Sequence, residues 1–66
     1  MELIINGERR GVADGLTAAQ LLAQCAVKPE GVVVEINLTI VKRARLPETI
    51  LKEGDRVEIV RLVGGG

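Results

Sequence analysis

The chain has 66 residues, 47% hydrophobic and 27% charged, the balance of one small folded domain spanning residues 1–66 with no room for a second. Nine Lys and Arg offset nine Asp and Glu, and Phe, Tyr and Trp are absent, so neither phosphate recognition nor base stacking is favoured and no nucleic-acid partner is expected. With no histidine and one cysteine, Cys25, the chain cannot build a His–Cys metal site, a Ser-His-Asp or Cys-His catalytic set, or an internal disulfide. No stretch approaches the roughly 18 apolar residues of a membrane helix. Met1-Glu2-Leu3 runs straight into a strand pattern with no basic leader, so a cytoplasmic location with no membrane partner is expected. These absences argue against an autonomous enzyme and imply no cofactor and no metal.

Leu3-Ile4-Ile5 is a short apolar run closed by Asn6-Gly7, the dipeptide best suited to the two positive φ angles of a type I′ turn. Glu8 to Val12 is predicted to return antiparallel, with Glu8 and Arg9 lending it the polarity of an exposed edge. Thr17 followed by Gln20 three residues later matches a capping box, and Leu16 and Leu21 are spaced for a hydrophobic staple around it. Ala18, Leu21, Leu22 and Cys25 fall at i, i+3, i+4 and i+7, one buried helical face, while Gln20 and Gln24 face water. The helix is predicted to run two to three turns and to stop at Lys28-Pro29-Glu30-Gly31, because a residue before proline is driven out of the α region.

Val32-Val33-Val34-Glu35-Ile36 is β-branched and reads as a strand, followed by a turn at Asn37-Leu38-Thr39 and a brief pairing at Ile40-Val41. Lys42, Arg43 and Arg45 form a basic patch leading to Leu46-Pro47, where a loop or one short helical turn is expected. Glu53-Gly54-Asp55 marks a further turn, and Arg56 to Val63 reads as the last strand before Gly64-Gly65-Gly66. This order predicts an α+β domain: a mixed sheet of four to five strands packed on one helix, the β-grasp (ubiquitin-like) arrangement. Its first and last strands would pair in parallel at the centre, with the helix in the crossover.

The end of the chain holds the most informative pattern. Val57 and Ile59 alternate with Arg56 and Glu58, as in a half-buried strand, but Val60 and Leu62 then fall on the polar face and Arg61 on the apolar one. Val60 and Leu62 are therefore candidates for docking a partner, unless the chain's own segment from Lys42 to Lys52 covers them. Three glycines make a slim, flexible arm able to thread a carboxylate into a narrow site, although glycines at a terminus are also often a frayed tail. Cys25, on the apolar stripe, is read as a small core residue in preference to a sulfur relay. Lys42, Arg43 and Arg45 meet an acidic partner or simply face solvent; Glu53 and Asp55 are turn formers first.

A β-grasp pattern of this length ending in Val-Gly-Gly-Gly resembles the ThiS family of sulfur carrier proteins of thiamin thiazole biosynthesis, which are ubiquitin-like and related to MoaD. The resemblance spans the chain through the Asn6-Gly7 hairpin, the Thr17 to Cys25 helix, the Val32 to Asn37 strand with Ile40-Val41, the Glu53-Gly54-Asp55 turn and the Gly65-Gly66 end. It implies a carrier, not a catalyst, and a monomer when free. An adenylating enzyme of the ThiF type, which binds ATP, would convert the Gly66 carboxylate to an acyl adenylate. A persulfide sulfur donor would turn that into a thiocarboxylate, and thiazole synthase, ThiG, would take the sulfur. Gly64 and Gly65 would then be the arm. The same terminus also suits a sulfur carrier for molybdopterin, tRNA thiolation or cysteine biosynthesis, or a ubiquitin-like interaction module or modifier. Family members commonly carry aromatic residues near the last strand, and this chain has none.

Overall fold

A computed structural model describes residues 1–63. Five strands, β1 (Glu2–Ile5), β2 (Glu8–Gly11), β3 (Val32–Ile36), β4 (Thr39–Val41) and β5 (Arg56–Arg61), and one helix, α1 (Ala18–Gln24), follow in the predicted order. Two short 3₁₀ turns, Pro29–Gly31 and Arg43–Glu48, complete the described chain. The sheet order is β2-β1-β5-β3-β4. As predicted, β1 and β5 are its parallel pair, Ile4 opposite Arg56 and Ile5 opposite Val57. The other pairings are antiparallel.

Strand alternation places Leu3, Ile5, Val34 and Val57 on one sheet face. They are buried there in a single cluster with Ala18, Leu21 and Leu22 of α1 and with Leu16, Leu46 and Leu51 from the connections. Leu46 reaches this core from the 3₁₀ turn Arg43–Glu48, so the long return to β5 is folded against the helix side of the sheet. The opposite face has no covering element among the described residues, and it is the face on which Glu58 and Val60 stand.

Local sequence explains most of the boundaries. Asn6 and Gly7 take φ of 49° and 83°, the left-handed pair a type I′ hairpin requires. Asn6 also continues the sheet with its side chain: Oδ1 accepts from the Ile59 N–H at 2.8 Å. At α1, the Thr17 hydroxyl accepts from the Gln20 N–H at 3.1 Å, and Gln20 Oε1 accepts from the Thr17 N–H at 2.8 Å. The capping box is complete, and the staple residues Leu16 and Leu21 are both buried.

Several boundaries differ from expectation: β4 begins at Thr39, a residue expected in the turn, and β5 ends at Arg61, not Val63, with the Leu62 N–H bond to the Gly31 carbonyl continuing the pairing. Strand β2 ends at Gly11, although the Val12 N–H still bonds the Met1 carbonyl at 2.8 Å. The helix ends at Gln24, before Lys28-Pro29 is reached, because Ala26 adopts a φ of 56°. The Val27 N–H bonds the Leu22 carbonyl at 2.9 Å and the Ala26 N–H bonds that of Ala23 at 3.1 Å, which is a Schellman closure with alanine where glycine is usual. A left-handed alanine costs roughly 1–2 kcal/mol, against a chain-entropy penalty for glycine of about 0.5–1 kcal/mol. Ala26→Gly is therefore expected to stabilise the domain by about 0.5–1 kcal/mol. A urea unfolding midpoint that fails to rise would show that Ala26 carries no such strain.

Candidate functional site

The site predicted from sequence has a root and an arm. The root is the end of β5, which runs antiparallel to β3 with Val60 opposite Val33 and Arg61 opposite Val32. One further bond extends the pairing: the Leu62 N–H donates to the Gly31 carbonyl at 2.9 Å, so the chain stays tied to the sheet through Leu62. Val63 is the last described residue, and it is exposed. Gly64, Gly65 and Gly66, the predicted arm and its reactive carboxylate, lie outside the described residues.

Val60 and Leu62 are 48% and 56% exposed. The segment from Lys42 to Lys52 does not bury them; it contributes Leu46 and Leu51 to the core instead. Val33, half-buried beside Val60, adds a third apolar side chain that the sequence pattern left inside an undivided β-branched run. Arg61, the other half of the pattern break, lies exposed at the end of β5, where the sheet stops and a long cation reaches water.

Among the described residues there is no group of three or more His, Cys, Asp or Glu side chains able to hold a metal. No buried side-chain nitrogen or oxygen lacks a hydrogen-bond partner there, and no helix is long and apolar enough to cross a membrane. Cys25 caps the C-terminus of α1 and is half-buried against the core, one residue beyond the helix on whose buried face it was expected. Its surroundings are less bland than the sequence implied, because the Arg10 guanidinium reaches from β2 to place Nη1 3.7 Å from the sulfur. The two residues are fifteen apart in sequence, and nothing in the spacing announces the contact. In the basic patch, Arg45 pairs with Glu48 at 2.8 Å, and Lys42 and Arg43 are exposed.

Asp55 does more than form a turn. Its carboxylate accepts from Asn37 Nδ2 at 2.9 Å and from the Lys52 N–H at 2.8 Å. Asn37 Oδ1 in turn accepts from the Arg56 N–H at 3.0 Å. This clamp ties the β3–β4 hairpin to the entry of β5. The hairpin turn is again of the left-handed kind, Asn37 at φ 51° and Leu38 at φ 70°. A leucine in that region bears roughly 1–2 kcal/mol of strain, and this one is 89% exposed. Ile40, on β4, is exposed as well. Neither stood out in the sequence as a site residue.

A five-stranded mixed sheet crossed by one helix, with a central parallel pair and a chain end leaving the middle strand, is a β-grasp (ubiquitin-like) fold. The ThiS family model matches residues 3–66, and the chain belongs to that family. The crystal structure of the thiamine biosynthesis protein ThiS from Geobacter metallireducens superimposes with a TM-score of 0.87 at 36% identity, covering 100% of both chains. The sulfur carrier protein ThiS of Thermus thermophilus is 36% identical over 62 residues, which is 94% of this chain and 95% of that protein. A thiazole synthase from Paramagnetospirillum magneticum is 39% identical over all 66 residues, and there the chain spans only 20% of the relative's length.

Proposed function

We propose that this chain is a sulfur carrier in thiamin thiazole biosynthesis, located in the cytoplasm and itself no catalyst. The observation that carries the proposal is the family match, which runs through the core and on to Gly66. The Gly66 carboxylate attacks ATP in the site of a ThiF-type adenylating enzyme, releasing pyrophosphate and leaving an acyl adenylate. The terminal sulfur of a partner's persulfide then attacks the acyl carbon and AMP departs. A thiol attacks the resulting acyl disulfide, forming a new disulfide and freeing the thiocarboxylate. Thiazole synthase receives the sulfur, a partnership favoured by the thiazole synthase relative that contains a domain like this one. Covalent activation divides one difficult substitution into easier steps, and the acids, bases and metals it needs reside in the partners.

In this proposal Gly64 and Gly65 are the arm, and Val60 and Leu62, held half-exposed beside its root, are the docking contacts for the activating enzyme. ATP–pyrophosphate exchange by that enzyme, made dependent on this chain, tests both statements. Leu62→Glu is expected to lower exchange about tenfold or more, as the loss of an interface anchor does. Its melting temperature should hold, since Leu62 is already more than half exposed. No exchange with the unaltered chain would remove the carrier assignment. A large fall in melting temperature for Leu62→Glu would make that residue part of the core.

A further inference from the structure

The β3–β4 hairpin tip carries a residue that the free domain has no use for. Leu38 adopts a φ of 70°, which L side chains seldom take, and it is 89% exposed, so burial returns almost nothing for the strain. The tip is not loose, however. The Asn37 N–H donates to the Arg56 carbonyl at 2.8 Å, Asn37 Nδ2 to Asp55 at 2.9 Å, and the Arg56 N–H returns a bond to Asn37 Oδ1 at 3.0 Å. An apolar side chain held on a rigid, strained turn is the form of a pre-organised binding anchor. Ile40, 64% exposed on the edge strand β4, widens the apolar surface. Beyond β4 stand Lys42 and Arg43, which make no ion pair among the described residues.

The tip lies at the far end of the sheet from the tail. Ile36 pairs with Val57 at one end of β5 and Val32 with Arg61 at the other, and six strand residues put the two ends roughly 17 Å apart. A partner seated on Leu38 therefore engages the domain at a place separate from Val60 and Leu62. We infer that Leu38, with Ile40 beside it, seats in an apolar depression of thiazole synthase rimmed by carboxylates that face Lys42 and Arg43. The inference rests on the carrier proposal above. Thiazole synthase is the occupant because the relative that contains this domain within a longer chain is a thiazole synthase.

The test is binding of the cognate thiazole synthase to the full chain by titration calorimetry, comparing the unaltered protein with Leu38→Gly and Leu38→Asn. Both substitutions accept a left-handed φ, so the variants should melt no lower than the original, and lost binding cannot be ascribed to unfolding. Affinity is expected to fall about tenfold or more in both. It should also weaken with added salt, as Lys42 and Arg43 require. Equal affinity in all three proteins overturns the inference. So does a concentration-dependent dimer of the unaltered chain that Leu38→Gly abolishes without changing synthase affinity, which would make a second copy the occupant. If the unaltered chain fails to bind the synthase, both the anchor and the synthase partnership fall. If it binds through Leu38 yet never acquires sulfur, the carrier proposal alone falls.

Discussion

A chain lacking Gly65 and Gly66 is expected to fold as the complete one does and to form no thiocarboxylate. All ten buried core residues of the described chain lie between Leu3 and Val57, and its last sheet hydrogen bond comes from Leu62. The deletion leaves each of these contacts in place, and thermal unfolding should move by no more than about 1–2 °C. Sulfur acquisition is lost because the truncated chain ends at Gly64, too short to bring a carboxylate into a partner site shaped for Gly66. Fully extended, two residues shorten the reach by roughly 7 Å, several times the tolerance of a reacting geometry. Retained sulfur transfer by the truncated chain would rule out Gly66 as the reactive position. A fall of many degrees in the melting temperature would place the glycines inside the fold's own stabilising contacts.

Leu21→Ala is expected to produce the largest loss of stability. Leu21 is among the largest fully buried side chains, in the single cluster that joins α1 to the sheet. Truncating a buried leucine costs about 2–5 kcal/mol, counting both the lost burial and the cavity left behind. A domain of this size holds roughly 3–10 kcal/mol in total. The melting temperature should fall by about 10–30 °C, at some 4–8 °C per kcal/mol for a small domain. The urea midpoint should fall in proportion with an unchanged slope. A loss below about 1 kcal/mol would mean that the helix settles into the gap. With no disulfide and no metal group among the described residues, packing is what remains to absorb the change.

What the sequence disclosed and what it withheld divide along a physical line. Features set by neighbours in the chain were legible: Asn6-Gly7 dictates its turn, Thr17 and Gln20 cap each other, and the break in alternation after Ile59 puts Val60 and Leu62 on the open face. Features set by distant partners were not. Ala26 and Leu38 both occupy left-handed conformations that composition assigns to glycine. Ala26 is the local exception, closed by Schellman bonds to Leu22 and Ala23 but hidden because alanine stands where glycine marks such an end, whereas the Leu38 turn is held by the Asp55 carboxylate eighteen residues beyond Asn37. The Arg10–Cys25 contact likewise exists only once β2 lies beside the end of α1. The proposed chemistry sat in plain view as the terminal glycines, while the hairpin anchor became visible only from backbone angles and exposure.

Intact mass spectrometry of the chain after incubation with ATP, its adenylating enzyme and a persulfide donor tests the carrier assignment most directly. The expected result is replacement of one oxygen by sulfur, mapped by fragmentation to Gly66. An unchanged mass, with the enzyme and donor shown to be active on another carrier, would contradict it.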